Sequence, residues 1–164
     1  MAQSVTPNLR EKSLSVFMIG NNPIDISNIY EKLKASSKIK FVTEAAFDIT
    51  GMFRKIIQLN PNYILLDDNL GSSKVRRIIH QLVKDKRTHN IPITIVKNSN
   101  YSAVITEGAQ DYILKDTLNE DSVYRSFVNS RKLRKTQVYF YKSLRKNKQR
   151  FEKLMNIVKS NLSF

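Results

Sequence analysis

The sequence has no cysteine and no tryptophan among its 164 residues. Without cysteine there can be no disulfide framework, no thiolate metal site and no cysteine nucleophile. The two histidines, His80 and His89, are too few and too far apart to found a metal cluster, and both read as surface residues. Met1 to Ser13 lacks the apolar core of a signal peptide, and no apolar run approaches the length of a membrane span. A soluble, cytoplasmic protein is the expectation. No P-loop, nucleophile–base pair or metal triad is present, so the chain is not expected to be an enzyme.

Acidic residues are also scarce. Fourteen Asp and Glu stand against 28 Lys and Arg, for a net charge of +14. The excess is uneven: from Asp121 onward twelve Lys and Arg face only Asp121 and Glu152. The charge therefore belongs mainly to the C-terminal segment and calls for its own explanation.

What is present is a regular alternation. Leu14 to Ile19 is a short apolar run closed by Gly20-Asn21-Asn22-Pro23, the pattern of a buried strand. From Asp25, the residues Ile26, Ile29, Tyr30 and Leu33 recur at helical spacing. Lys38 to Phe47 predicts a second strand, with Ile39, Phe41 and Val42 apolar, and Ile49 to Leu59 a second helix. Tyr63 to Leu66 is a hydrophobic third strand that meets Asp67 at its end. Val75, Ile78, Ile79 and Leu82 mark a third helix, Pro92 to Val96 a fourth strand and Asp111 to Leu114 a fifth. Strands alternating with helices predict an α/β fold, a doubly wound five-stranded parallel sheet covered on both faces. Such sheets bind ligands at the carboxyl ends of their strands. Here those ends are Gly20-Asn21-Asn22, Asp67-Asp68, Lys97-Asn98 and Lys115-Asp116.

The order of these motifs resembles the receiver domain of two-component response regulators, a flavodoxin-like fold. The resemblance rests on Leu65-Leu66-Asp67 and on Gly108-Ala109-Gln110-Asp111-Tyr112-Ile113-Leu114-Lys115, with Lys86 to Pro92 similar to the loop before the fourth strand. It covers roughly residues 14 to 130. By that resemblance Asp67 is the phosphoacceptor position, Lys115 the pocket lysine and Tyr112 the switch aromatic. The family's acidic pair after the first strand falls on Gly20-Asn21, its Ser or Thr after the fourth strand on Lys97, and its proline after the lysine on Asp116. These departures imply a poor magnesium site, since Mg²⁺ needs several hard oxygen ligands. Asp67 would face two ammonium groups without an acidic pair, and Lys97 is expected to sit near the metal position and pair with Asp67. Asp68 and Asp116 are weak substitutes for the missing acids. No cofactor is expected. Between Lys97 and Lys115 the chain is about four residues shorter than a typical receiver, so the helix expected around Asn98 to Ala103 is stunted.

No Gly or Pro interrupts the sequence from Asn119 to Phe164. Asn119 is a candidate cap, and Glu120 and Asp121 suit the positive end of a helix. Tyr141, Leu144, Phe151, Met155, Val158 and Leu162 approximate a three-four spacing that Lys148 breaks. The expected organisation is an arm over 1–13, a receiver-like domain over 14–130 and a basic extended helix over 131–164. That helix reads as a dimerising coiled coil or a linker toward a further domain. Gln149 to Met155 is similar to the lead-in of a PAS-type sensor, which implies a fragment of a longer protein. The expected partners are proteins, a histidine kinase or an effector domain, and a second copy of the chain. The alternative is a nucleic-acid-binding regulator that uses the basic helix, with Tyr139, Phe140 and Tyr141 supplying aromatics.

Overall fold

A computed structural model describes residues 13–37, 39–98 and 108–162. Strands β1 (Leu14–Ile19), β2 (Phe41–Ala46), β3 (Tyr63–Asp67), β4 (Ile93–Lys97) and β5 (Asp111–Leu114) form one sheet in the order β2-β1-β3-β4-β5. All four pairings are parallel. Helices α1 (Pro23–Lys34), α2 (Met52–Leu59), α3 (Ser72–Lys84) and α4 (Glu120–Leu162) complete the described elements, with short 3-10 turns at Asp68–Leu70 and Lys115–Thr117. The doubly wound five-stranded parallel sheet is thus observed. The expected stunted helix at Asn98 to Ala103 lies, beyond Asn98, outside the described residues.

Alternation along the strands divides the core in two, because successive side chains point to opposite faces. Phe17, Ile19, Ile64, Leu66, Ile93 and Ile95 meet α2 and α3 through Met52, Ile56, Ile78, Ile79 and Leu82. Val16, Met18, Leu65, Val96 and Ile113 meet α1 and α4 through Ile26, Ile29, Leu33 and Val123. All five residues of β3, the central strand, are buried. Each fully buried Leu or Ile contributes about 1.5–3 kcal/mol, so β3 is the strand the fold can least spare. β2 is an edge strand with alternate residues exposed, which explains why it is shorter than its sequence predicts.

Two helix starts differ from the sequence reading for identifiable reasons. α1 begins at Pro23, because the Asn22 side chain accepts from the Ile24 N–H at 3.0 Å and caps it. α2 begins at Met52 because Gly51 holds φ +116°, a left-handed conformation that no helix interior adopts. α4 begins as expected. Asn119 Oδ1 accepts from the Ser122 N–H at 2.8 Å and Ser122 Oγ accepts from the Asn119 N–H at 2.9 Å, a reciprocal cap.

α4 is bolted to the sheet by polar groups. Ser126 Oγ donates to Asp111 Oδ2 at 2.6 Å and accepts from the Tyr63 hydroxyl at 2.9 Å. A hydroxyl has one proton, so Thr94 Oγ1, 3.1 Å from Ser126, must donate to it and accept from Ser130, also at 3.1 Å. The chain of hydroxyls therefore runs one way, from Ser130 through Thr94 and Ser126 to the Asp111 carboxylate. Burial pushes the Tyr63 phenol well above its ordinary value, so it remains a donor. One turn further on, Arg134, only 4% exposed, donates from Nε to the His89 carbonyl and from Nη1 to Gln137 Oε1. Gln137 Oε1 also accepts from Gln110, whose own oxygen accepts from the Ile93 N–H. The helix does not break at residue 130. Its sheet contacts continue to about Gln137, and beyond that point it projects, with Tyr139 to Tyr141, Leu144, Phe151, Leu154, Ile157 and Val158 exposed.

Candidate functional site

The carboxyl ends of β1, β3, β4 and β5 converge on Asp67, which is 2% exposed. Gly20, at the end of β1, lets the chain approach it. A Cβ there would lie 3.3 Å from the Asp67 Cβ and 3.0 Å from the Ile26 Cδ1. Lys115, at the end of β5, brings its ammonium 2.9 Å from Asp67 Oδ1. The same ammonium lies 2.7 Å from Asp25 Oδ2.

Asp25 is the residue the sequence reading missed. In the sequence it marks only the start of a helix, yet the capped first turn of α1 aims it across the strand ends into the pocket. The count of one carboxylate against two ammonium groups is therefore corrected: Asp25, Asp67 and Asp68 face Lys115 and Lys97. Its available signal was position, one helical turn beyond a strand end. The cation joining the two carboxylates is Lys115. Lys97 stands at the rim with its ammonium over the Tyr112 ring, 5.8 Å from the centroid, close enough to act electrostatically on Asp68. Tyr112 itself points outward, 56% exposed.

Amides close the remainder of the mouth. Asn69 donates its backbone N–H to Asp67 Oδ1 at 3.1 Å and its side-chain N–H to Asp25 Oδ2 at 2.9 Å. Asn21 Nδ2 donates to the Asn69 carbonyl at 3.0 Å, and Asn98 Nδ2 donates to Asn69 Oδ1. Asn22 serves mainly as the α1 cap. The Lys115 hydrogen bond holds the Asp25 carboxyl below its ordinary value. Burial acts to lower Lys115, but its bonds to Asp25 and Asp67 outweigh burial and leave it raised. Burial raises Asp68, whose Oδ1 is enclosed without a hydrogen-bond partner.

The family resembled by this chain implies a magnesium ion at this place. Mg²⁺ takes six oxygens in near-octahedral order. Here Lys115 already lies between the two carboxylates, and the Asn21 amide presents an N–H to the Asn69 carbonyl. Asp68 Oδ1 is one open acceptor, on a carboxyl group that burial disfavours as an anion. Among the described residues no three His, Cys, Asp or Glu are grouped to hold a metal. The arrangement does not fit Mg²⁺.

No family model matches the sequence, and no curated protein matches it. Solved structures do match in shape. A response regulator from Desulfuromonas acetoxidans is similar at TM-score 0.58 and 14% identity, over 73% of this chain and 98% of that one. A signal receiver domain of a histidine kinase from Clostridium thermocellum is similar at TM-score 0.54 and 16% identity, over 73% and 98%. The receiver domain of a sensor histidine kinase from Pseudomonas aeruginosa, with a magnesium ion coordinated in its active-site cleft, is similar at TM-score 0.60 and 14% identity, over 72% and 97%. The chain has the fold of a response-regulator receiver domain, extended by the projecting half of α4. Among the described residues no helix is long and apolar enough to cross a membrane.

Proposed function

We propose that this chain is an atypical receiver-type signalling module whose pocket is closed without a metal and whose output is protein contact through α4. The observation that carries the reading is the position of Lys115, 2.7 Å from Asp25 and 2.9 Å from Asp67. The family that this chain resembles keeps a lysine beside its metal, but here Gly20-Asn21 replaces the acidic pair and Asp25 is itself bonded to that lysine, so among the described residues no carboxylate cluster is left for a divalent ion. Phosphorylation of Asp67 is then not needed to hold the pocket in one conformation. Its partners are a kinase or effector protein and a second copy of the chain.

The dimer reading rests on the projecting helix. Leu144, Phe151 and Val158 recur every seven residues, flanked by Phe140 and Leu154 on one side and Tyr141 and Met155 on the other, all exposed. A heptad of this kind buries itself against another helix. Asn147 and Lys148 occupy the middle layer, where a polar residue fixes register at some cost in stability. Lys148 faces Glu152 along its own helix at 4.0 Å.

Titrating the protein with Mg²⁺, alone and with beryllium fluoride, tests the pocket. Backbone amide spectra around Asp67 should remain unchanged at millimolar metal. Sub-millimolar Mg²⁺ affinity centred on Asp67 would overturn the metal-free reading.

A further inference from the structure

α4 carries a second face, running from its anchored half into the projecting one, that dimerisation leaves uncovered. Arg131, Lys135, Lys142, Lys146 and Lys153 follow one another at steps of four, seven, four and seven residues, all exposed. At 3.6 residues per turn these steps place them in one line about 60° wide along the helix. At 1.5 Å per residue the line is about 33 Å long. It lies about 170° around the helix from the apolar spine of Leu144, Phe151 and Val158. Between and beside the cations stand Gln149, Arg150, Asn156 and Ser160, all exposed hydrogen-bond donors. Glu152 falls off this line, to the side of Lys148.

We propose that this stripe binds the phosphate backbone of duplex nucleic acid without reading its sequence. Three polyanions could meet such a face, and the geometry separates them. An amphipathic helix on an anionic membrane buries its apolar side and needs its cations flanking that side, level with the headgroups. Here the cations are opposite the apolar side, so burying the spine in lipid would aim them away from the headgroups. A protein partner needs an apolar centre within the contact surface. The stripe has apolar side chains only at its edges, at Val138, Tyr139 and Ile157. A duplex presents about one negative charge per 1.7 Å and is contacted by Arg, Lys, Gln, Asn and Ser alike. A rigid, acid-free, 33 Å row (about one duplex turn) matches that surface. Pairing through the spine would set two such rows on opposite sides of the coil, each facing a duplex of its own.

The test is fluorescence anisotropy of a labelled 30-base-pair duplex of arbitrary sequence with the full chain. Five neutralised phosphates give a log–log salt slope near −4.5, so affinity should fall several-hundred-fold between 50 and 200 mM salt. The variant combining Lys142→Glu, Lys146→Glu and Lys153→Glu should bind at least 100-fold more weakly at 50 mM salt. Its circular dichroism, and its dimerisation by sedimentation, should be unchanged. No binding by the native chain at 50 mM salt would overturn the proposal, as would binding that survives the triple reversal. Tighter binding to phosphatidylserine vesicles than to the duplex would also overturn it and favour a membrane surface. Because dimerisation is measured separately, failure here leaves the spine reading intact, and failure of the spine leaves this one intact.

Discussion

The two halves of α4 invert the usual rule about which side chains go inside. From Glu120 to about Gln137 the helix buries polar groups, Ser126, Ser130 and Arg134, against the sheet. Beyond Tyr139 it exposes apolar ones, Leu144, Phe151 and Leu154 among them. The first half can bury hydroxyls because each has a partner and the relay ends on a carboxylate, so no donor is orphaned. The second half is helical without any sheet to pack on. An isolated helix draws most of its stability from packing of its apolar face. The first half is thus completed by its own domain, whereas the second is completed only by something else.

Breaking the second half should give the largest effect. Replacing Leu144 and Phe151 together by Asp removes two apolar contacts per chain and adds buried charge. The dimer should weaken by about 3–6 kcal/mol, or more than 100-fold, in sedimentation velocity. Thermal unfolding of the receiver-like domain should be unaffected. A monomeric native chain would remove the contrast altogether.

The first half is broken by Ser126→Val. Tyr63, Thr94 and Asp111 each lose a hydrogen-bond partner, for a cost of about 2–4 kcal/mol in urea unfolding. Ser160→Ala, an equally small change on the exposed half, should stay within about 0.5 kcal/mol. Similar losses at both positions would mean that the relay has no special role. Arg134→Met should cost less, about 1–2 kcal/mol, because losing its bonds is partly offset by removing a buried charge. Its signature should be faster amide exchange between Ser130 and Val138, where the helix leaves the sheet.

The smallest effect, and the sharpest contrast, comes from pH. The relay that holds α4 is built of hydroxyls, whereas the pocket at the other end of the sheet is held by ions. Asp25 titrates below its ordinary value, so its contribution is present above the ordinary carboxylate range and is lost as pH falls through the lowered value. Lys115 is raised, so its contribution is complete below the ordinary ammonium range and is lost as pH rises through the raised value. Asp68, raised by burial, works the other way and weakens the pocket as pH rises from the ordinary carboxylate range through its raised value, so stability from the pocket should be flat only above that value and up to roughly pH 9. In Lys115→Met the Asp25 carboxyl should titrate higher, read from its side-chain carbon resonance. An Asp25 titration indifferent to that substitution would mean Lys115 is not its partner in solution.

Most of the fold was legible because apolar runs bounded by turn residues have few alternatives. β1 and β5 fall on the residues their runs predict, and β3 differs only by taking in Asp67. The misplaced helix starts came from single residues, Asn22 as a cap and Gly51 at positive φ, whose effects are conformational and carry no periodic signal. In the pocket, Asp67 and Lys115 were found because each ends a strand. Asp25 was missed because its role depends on where the first turn of a helix points, which spacing along the chain does not reveal. The relay was missed for a related reason. Ser126, Thr94 and Ser130 look like ordinary polar residues until the sheet brings them together.

The unbroken passage of α4 from Arg134 to its far end has a mechanical consequence. No glycine or proline offers a joint, so motion at the anchored half is transmitted rather than absorbed. From Gln137 to Leu162 the arm is about 38 Å long, and a tilt of about 5° at its root sweeps the tip through about 3 Å. A change too slight to disturb the packing of the sheet would thereby become a displacement comparable to the width of a side chain at the far end of the helix.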